Sequence, residues 1–394
     1  MLGLWMLLLT LGQLDASTMP DTAGDCVTQQ QRTSPAPARF AEVAKLLDDG
    51  VRTKAFPGAV VVVGSRTGIE WTHATGYQTY AKKTPVDAHT LYDLASLTKV
   101  VGTTMVLMSL VAADLVSVDD TVGQHVPAFI HGDRKQRRWR QRVTLGDLLT
   151  HRSGLPDWAP LYRGKPGYSH VVARALKVPL KRRPGRKTVY SDIGFIILGE
   201  VIQQVTQDSL ARVESNRVFQ PMHMQDTLRA PPASLVPNIA PTELQNGRAI
   251  HGEVHDRNAR AGEGQTGHAG LFSCAHDLAK LAQALLKSRH GEPTPLPQTQ
   301  VLAFTTRQSP QPRASFGLGW DTPSGEHSSF GSEVSPQLFG HHGFTGTTLW
   351  VDPKNDLFVV LLTNRVHPTR DNNQLRKLRP KLADAIVRAT AATP

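Results

Sequence analysis

A chain of 394 residues is long enough for about two or three domains, which excludes a peptide or a disulfide-stapled miniprotein. Hydrophobic residues make up 40% and charged residues 20%, a globular balance that excludes a disordered or multi-span membrane chain. The 44 Lys and Arg against 33 Asp and Glu leave a net charge of +11, which favours anionic surfaces or substrates but dictates no fold.

Leu2 to Leu14 form a nearly unbroken apolar run, the length of a signal-peptide core and short of the ~20 residues of a membrane helix. It predicts an export signal over residues 1–24 and a periplasmic or extracellular protein, even though no Lys or Arg precedes Arg32. Cys26 sits where a lipidated cysteine would, but Asp25 stands where such a cysteine needs a small residue. With only Cys26 and Cys274 in the chain, no disulfide scaffold or four-cysteine metal site can form, and one bridge stays open. Residues 25–38 are polar and proline-containing and read as a linker.

Ala41, Val43, Ala44, Leu46 and Leu47 have helical spacing and stop at Gly50. Ala59 to Val63 and Ile69 to Thr75 read as strands joined by Arg66, Thr67 and Gly68. From Leu94 to about Val111 apolar residues occupy every side of the helical wheel, which predicts a helix buried all round. Helical stretches follow at Val143 to His151, Ile193 to Val205 and His276 to Leu286, with no strong strand among them. Thr347 to Asp352 and Leu357 to Thr363 form a late hairpin about Pro353, Lys354 and Asn355, and a last helix from about Asn373 to Ala389 should break near Pro380. This order predicts an α+β fold. An antiparallel sheet flanked by helices comes from residues 39–100 and 300–394, with a helical domain, 101–299, inserted.

Ser96 and Lys99 form a Ser-x-x-Lys pattern at the start of the buried helix, where residues three apart share a face. A lysine in an apolar setting has a lowered pKa, and its neutral amine can take the serine proton. Free N–H groups at a helix start can stabilise an oxyanion. Tyr190, Ser191 and Asp192 precede the helix of Ile193 to Leu198, and a tyrosine held partly ionised by a lysine ammonium can serve as a general base. Ser191 or Asp192 could equally be a helix cap. Gly340, His341, His342, Gly343, Phe344, Thr345, Gly346 and Thr347 run into the late hairpin, with glycines that permit close backbone approach to a substrate.

Three motifs in this order resemble the serine β-lactamase and penicillin-binding family, nearest its class C-like esterase and peptidase branch. Thr150 to Pro156 look like the family's His-x-Ser-Gly-Leu-Pro segment, and Gly317, Leu318, Gly319 and Trp320 also match. The resemblance covers about Phe40 to Val387. It implies a β-lactamase/transpeptidase-like fold and acyl transfer without a cofactor or metal. Ser96 would be the nucleophile, and Lys99 and Tyr190 the acid/base pair. The N–H groups of Ser96 and Phe344 would form an oxyanion hole, while His341, Gly343 and Asp192 contact substrate. Asp192 departs from the asparagine of β-lactamases, and a carboxylate cannot donate to a penicillin side chain.

Gly252 to Ala259 and Gly267 to Ser273 resemble a subset of the family associated with peptidoglycan turnover, including D-Ala-D-Ala carboxypeptidases and muramyl-L-alanine amidases. His251, His255, Asp256 and His268 could supply metal ligands, but glycine-broken loops and the absence of a His-Glu-x-x-His helix argue against it. His255 and Asp256 are expected to hydrogen-bond within a loop lining the cleft. The expectation is an exported serine hydrolase cleaving a peptide or amide bond of peptidoglycan fragments, with carboxylesterase and β-lactamase as alternatives. Its partner would be a small-molecule or muropeptide substrate, with no obligate protein partner. The basic stretches Arg134 to Arg142 and Lys181 to Arg186 are solvated surface by default, with contact to anionic cell-envelope polymer or lipid as the functional alternative. Nucleic acid is disfavoured, since Trp139 is the only aromatic in either run.

Overall fold

The computed structural model describes residues 36–308, 315–325 and 328–391. The predicted export signal, nearly all of the linker and Cys26 lie outside the described residues, and Cys274 is a buried thiol.

The strands are β1 (Gly58–Ser65), β2 (Gly68–Gly76), β3 (Tyr92–Asp93), β4 (Leu228–Arg229), β5 (Leu244–Gln245), β6 (Arg248–Ala249), β7 (Leu271–Ser273), β8 (Phe339–His342), β9 (Thr348–Asp352) and β10 (Leu357–Thr363). Five of them form an antiparallel sheet in the order β2-β1-β10-β9-β8, joining residues from both halves of the chain. β1 and β10 are buried on both faces, which explains their continuous β-branched and leucine runs. Ala59, Val61 and Val63 pack into one core with Phe40, Leu47, Leu382 and Ile386 of the terminal helices. Val60 and Val62 point into the other, beside Leu278 and Leu281 of the Ala275–Arg289 helix. The result is α+β, with helices on both faces of the sheet.

The two predicted hairpins lie where expected. Three expectations need correction. The first helix runs Ala41–Arg52 through Gly50, whose missing side chain makes room for the Phe56 ring. The last helix, Gln374–Ala391, continues through Pro380. A mid-helix proline costs about 3 kcal/mol, but Leu375 on one side of it and Leu382 and Ile386 on the other are all buried, each worth about 1.5–3 kcal/mol. The middle of the chain does contain strands. β3, β7 and β4 form a small sheet and β5 pairs with β6, but runs of two or three residues are too short for an alternating pattern to show.

Candidate active site

The buried helix begins later than its hydrophobic pattern suggests. Leu94 leaves β3, and Ala95 turns with φ +47°, a left-handed conformation that a side-chain-bearing residue rarely adopts. Asp93 holds this turn: its carboxylate accepts from Ala95 N–H at 2.8 Å and His255 N–H at 2.7 Å. Burial pushes the Asp93 carboxyl up to about 6, against those two backbone donors. After Ser96 the chain enters a π-helical turn, Lys99–Thr104, and then the α-helix Met105–Ala112. Such wide turns concentrate at functional sites.

Lys99 is fully buried. Nζ donates to Ser96 Oγ at 3.0 Å and to the His268 carbonyl at 3.2 Å, and lies 2.7 Å from Asp192 Oδ1. The Tyr190 ring centroid is 4.9 Å from Nζ, and its phenol interacts with both Lys99 and Ser96. Two electrostatic expectations are overturned here. Burial works to lower the Lys99 pKa, but the Asp192 carboxylate and the Tyr190 phenol outweigh it, so the amine is held above its ordinary value and is charged at rest. Burial likewise raises the Tyr190 phenol against the pull of Lys99, so it stays protonated rather than partly ionised.

The Thr150 to Pro156 segment acts as a clamp. His151, with φ +57°, accepts Ser191 N–H at Nδ1 (3.0 Å) and packs its ring 4.6 Å from Tyr190. Pro156 O accepts Ser191 Oγ–H at 2.6 Å and Asp157 O accepts Asp192 N–H at 3.0 Å. The same Ser191 hydroxyl caps the Asp192–Thr206 helix through Gly194 N–H. Capping and site placement are therefore one arrangement.

The glycine-rich segment is fastened to the Ser96 turn from the opposite side. Thr345 Oγ–H donates to Asp93 O at 2.7 Å and Thr347 Oγ–H to Leu94 O at 3.0 Å. A Cβ on Gly343 would stand 2.4 Å from Leu94 O, so only glycine allows this approach. Among the described residues, neither the Ser96 N–H nor the Phe344 N–H has a protein acceptor. His341 is pushed down to about 3 by burial and then by Lys99, so it is a neutral imidazole. Its Nδ1 donates to His342 O at 2.9 Å, which leaves Nε2 an acceptor.

Ser96, Tyr190, His341, Gly343 and Phe344 line a cleft of about 530 Å³. An adjoining lobe of about 270 Å³ shares Ser96, Tyr190 and Phe344 and adds Asp192, Trp158, His255, Asp256 and His268. Six of the seven site residues expected from the sequence thus line one place, with the seventh, Lys99, beneath them. His255 and Asp256 hydrogen-bond in the lobe as expected: His255 Nε2 meets Glu243 at 3.1 Å, and Asp256 accepts His268 Nε2–H at 2.9 Å. The four suggested metal ligands do not converge, since His251 bonds Ile239 O. Asp192, Asp256 and His268 do bring one ligand atom each within 4.8 Å of the others, a set that Lys99 already contacts through Asp192.

Two features escaped the sequence. Arg365, Arg370, Arg376 and Arg379 line the cleft on the stretch after β10, where no motif marks them. Arg229 and Glu214, buried at 1% and 0% exposure, form a two-point pair at 2.7 and 2.8 Å. Arg229 also donates to the carbonyls of Gly264, Thr266 and Ala269, gripping the loop whose His268 carbonyl holds Lys99.

Residues 43–383 match the family model described as Beta-lactamase. A "Putative D-alanyl-D-alanine carboxypeptidase" of Salmonella typhi is 34% identical over 306 residues, 71% of this chain and 70% of the relative. Among solved structures, EstCE1, "a hydrolase with promiscuous acyltransferase activity", superposes with a TM-score of 0.74 at 19% identity, covering 89% of this chain and 98% of its own. A penicillin-binding protein homologue from Caulobacter crescentus gives 0.69 at 18%, covering 90% and 98%. With the family model spanning most of its length, this chain belongs to the beta-lactamase family and is a serine hydrolase of the β-lactamase and penicillin-binding type.

Proposed function

We propose that this protein is an exported carboxypeptidase-type hydrolase that cleaves a D-Ala-D-Ala-type peptide bond of peptidoglycan fragments through an acyl-enzyme on Ser96. The observation that carries the reading is the contact of Ser96 Oγ with the Lys99 ammonium at 3.0 Å beneath an open cleft. Resting Lys99 is charged, so it takes the Ser96 proton only after passing one on, and Asp192 at 2.7 Å is its nearest carboxylate. Ser96 Oγ then bonds to the substrate carbonyl carbon, the N–H groups of Ser96 and Phe344 receive the oxyanion, and Tyr190 delivers a proton to the departing amine as the C–N bond breaks. Water reverses the sequence and frees the acid.

The similarity to the Salmonella carboxypeptidase-type relative supports the substrate class, and the arginine wall suits a substrate with a free carboxylate. Asp192 disfavours β-lactams, whose side-chain carbonyl would meet a carboxylate. Ester hydrolysis is the second reading, favoured by the aromatic lining of Trp158, Phe316 and Phe344.

The test is D-alanine release from muropeptides ending in D-Ala-D-Ala beside hydrolysis of short p-nitrophenyl esters, with a fluorophosphonate probe mapped by mass. D-Alanine release and a label on Ser96 that disappears in Ser96→Ala are expected. Ester turnover without D-alanine release would move the function to an esterase, and a label persisting on another serine would remove Ser96 as nucleophile.

A further inference from the structure

The basic stretches at 134–142 and 181–187 lie about 40 residues apart in sequence but form one surface. Gln136 staples them: its Nε2–H donates to Leu180 O at 3.1 Å and its Oε1 accepts Leu180 N–H at 3.0 Å. Arg140 fixes the helix Arg134–Arg140 from below. Its buried guanidinium donates to the carbonyls of Phe129 at 3.2 Å, Leu176 at 2.9 Å and Val178 at 2.6 Å. With Arg140 turned inward, the other cations face out: Arg134, Lys135, Arg137, Arg138 and Arg142 from one run, and Lys181, Arg182, Arg183, Arg186 and Lys187 from the other, are all exposed.

Arg134, Lys135, Arg138, Trp139, Arg142 and Arg183 line a groove of about 470 Å³ in this face, with no carboxylate among them. Among the described residues none of the exposed cations of either run is ion-paired. Asp133, the adjacent acid, accepts Gln136 N–H as the helix cap. Arg134 and Arg138 stand four apart on this helix, a like-charge spacing that is unfavourable by itself and is relieved by an anion, and Arg142 follows just past the helix end.

We propose that this face docks on the anionic headgroups of a phospholipid bilayer. Ten exposed cations spread over two segments exceed what a single bound phosphate neutralises, and match a surface that presents many anions. A single-stranded nucleic acid would want an open stacking platform. Trp139 offers none, being packed against the core with Lys135 4.6 Å over its ring. The contact is electrostatic and superficial, since the groove's one apolar side chain, Trp139, is half-buried and no helix of the described residues is long and apolar enough to cross a membrane. The surface lies outside the catalytic machinery, so this inference stands or falls apart from the proposed reaction.

The test is co-sedimentation of the full chain with phosphatidylcholine vesicles and with equal parts phosphatidylcholine and phosphatidylglycerol, across a salt series. Two variants, Arg134→Gln/Arg138→Gln/Arg142→Gln and Lys181→Gln/Arg182→Gln/Arg183→Gln, are compared with the parent. Binding is expected only to the anionic vesicles and to weaken steeply with salt. At roughly fivefold per charge, each triple variant should bind on the order of a hundredfold more weakly, with ester turnover and melting temperature unchanged. Equal binding to neutral vesicles, no binding to anionic ones, or variants that bind like the parent would each overturn the proposal. Displacement from vesicles by duplex DNA at lower anion concentration than by added lipid would assign the face to nucleic acid instead.

Discussion

Glu214→Gln should damage stability and catalysis by separable routes. Arg229 and Glu214 are 1% and 0% exposed, so the substitution leaves a guanidinium buried without its counter-charge. Breaking a buried pair in this way costs about 3–5 kcal/mol. With about 2.1 cal/mol/K of unfolding entropy per residue, a folded body of roughly 350 residues loses about 0.7 kcal/mol per degree, so the melting temperature should fall by about 4–7 °C. Catalysis suffers because Arg229 grips the carbonyls of Gly264, Thr266 and Ala269, and this loop presents the His268 carbonyl to Lys99. Glu214 also rests on the π-helical turn, where a Cβ on Gly102 would stand 2.2 Å from its Oε1. The double variant Glu214→Leu/Arg229→Met removes both charges and should recover much of the melting temperature. It cannot restore the three carbonyl contacts, so kcat should stay low. Calorimetry and steady-state hydrolysis of an activated ester measure the two effects. A cost below about 1 kcal/mol for Glu214→Gln, or full recovery of kcat in the double variant, would refute the reasoning.

Lys99→Ala, Tyr190→Phe and their combination should lower kcat/KM to similarly small values, because acylation needs both the proton that Lys99 takes from Ser96 and the one that Tyr190 gives to the amine. Independent, multiplicative losses would contradict that. Asp192→Asn removes the carboxylate that holds the Lys99 pKa up, so the neutral amine should be reached at lower pH and the acidic limb of the pH–rate profile should move toward acid. The same variant replaces an acceptor by a donor and should raise turnover of a chromogenic cephalosporin by about tenfold to a hundredfold while lowering activity on muropeptides. Glu243 is held at about 2, first by its hydrogen bond to Arg370, which is below its unfolded value of about 4.5. Its contribution to stability is therefore complete above that value and lost as pH falls toward 2, so the melting-temperature gap between the parent and Glu243→Gln should close over this interval.

Much of the site was legible in the sequence, through short motifs and their resemblance to a known family. Ser96, Lys99, Tyr190, Asp192, His341, Gly343 and Phe344 sit in short motifs whose spacing is local. The sheet was legible for a similar reason: β1 and β10 carry long apolar β-branched runs, and their partners are a hairpin turn away. What stayed hidden depends on groups far apart in the chain. The apolar surroundings of Lys99 suggest a lowered pKa, and only the fold brings the Asp192 carboxylate within 2.7 Å to reverse that sign. Strands of two or three residues, such as β4 and β7, carry no periodicity and exist because tertiary neighbours complete their hydrogen bonds. The Arg229 grip on residues 264–269 and the joining of the two basic runs through Gln136 have the same origin. Local sequence determines which groups can do chemistry and which segments must be buried. The charge state of each group and the surface it shares depend on distances across the fold, because Coulomb and hydrogen-bond energies are set by separation in space, not along the chain.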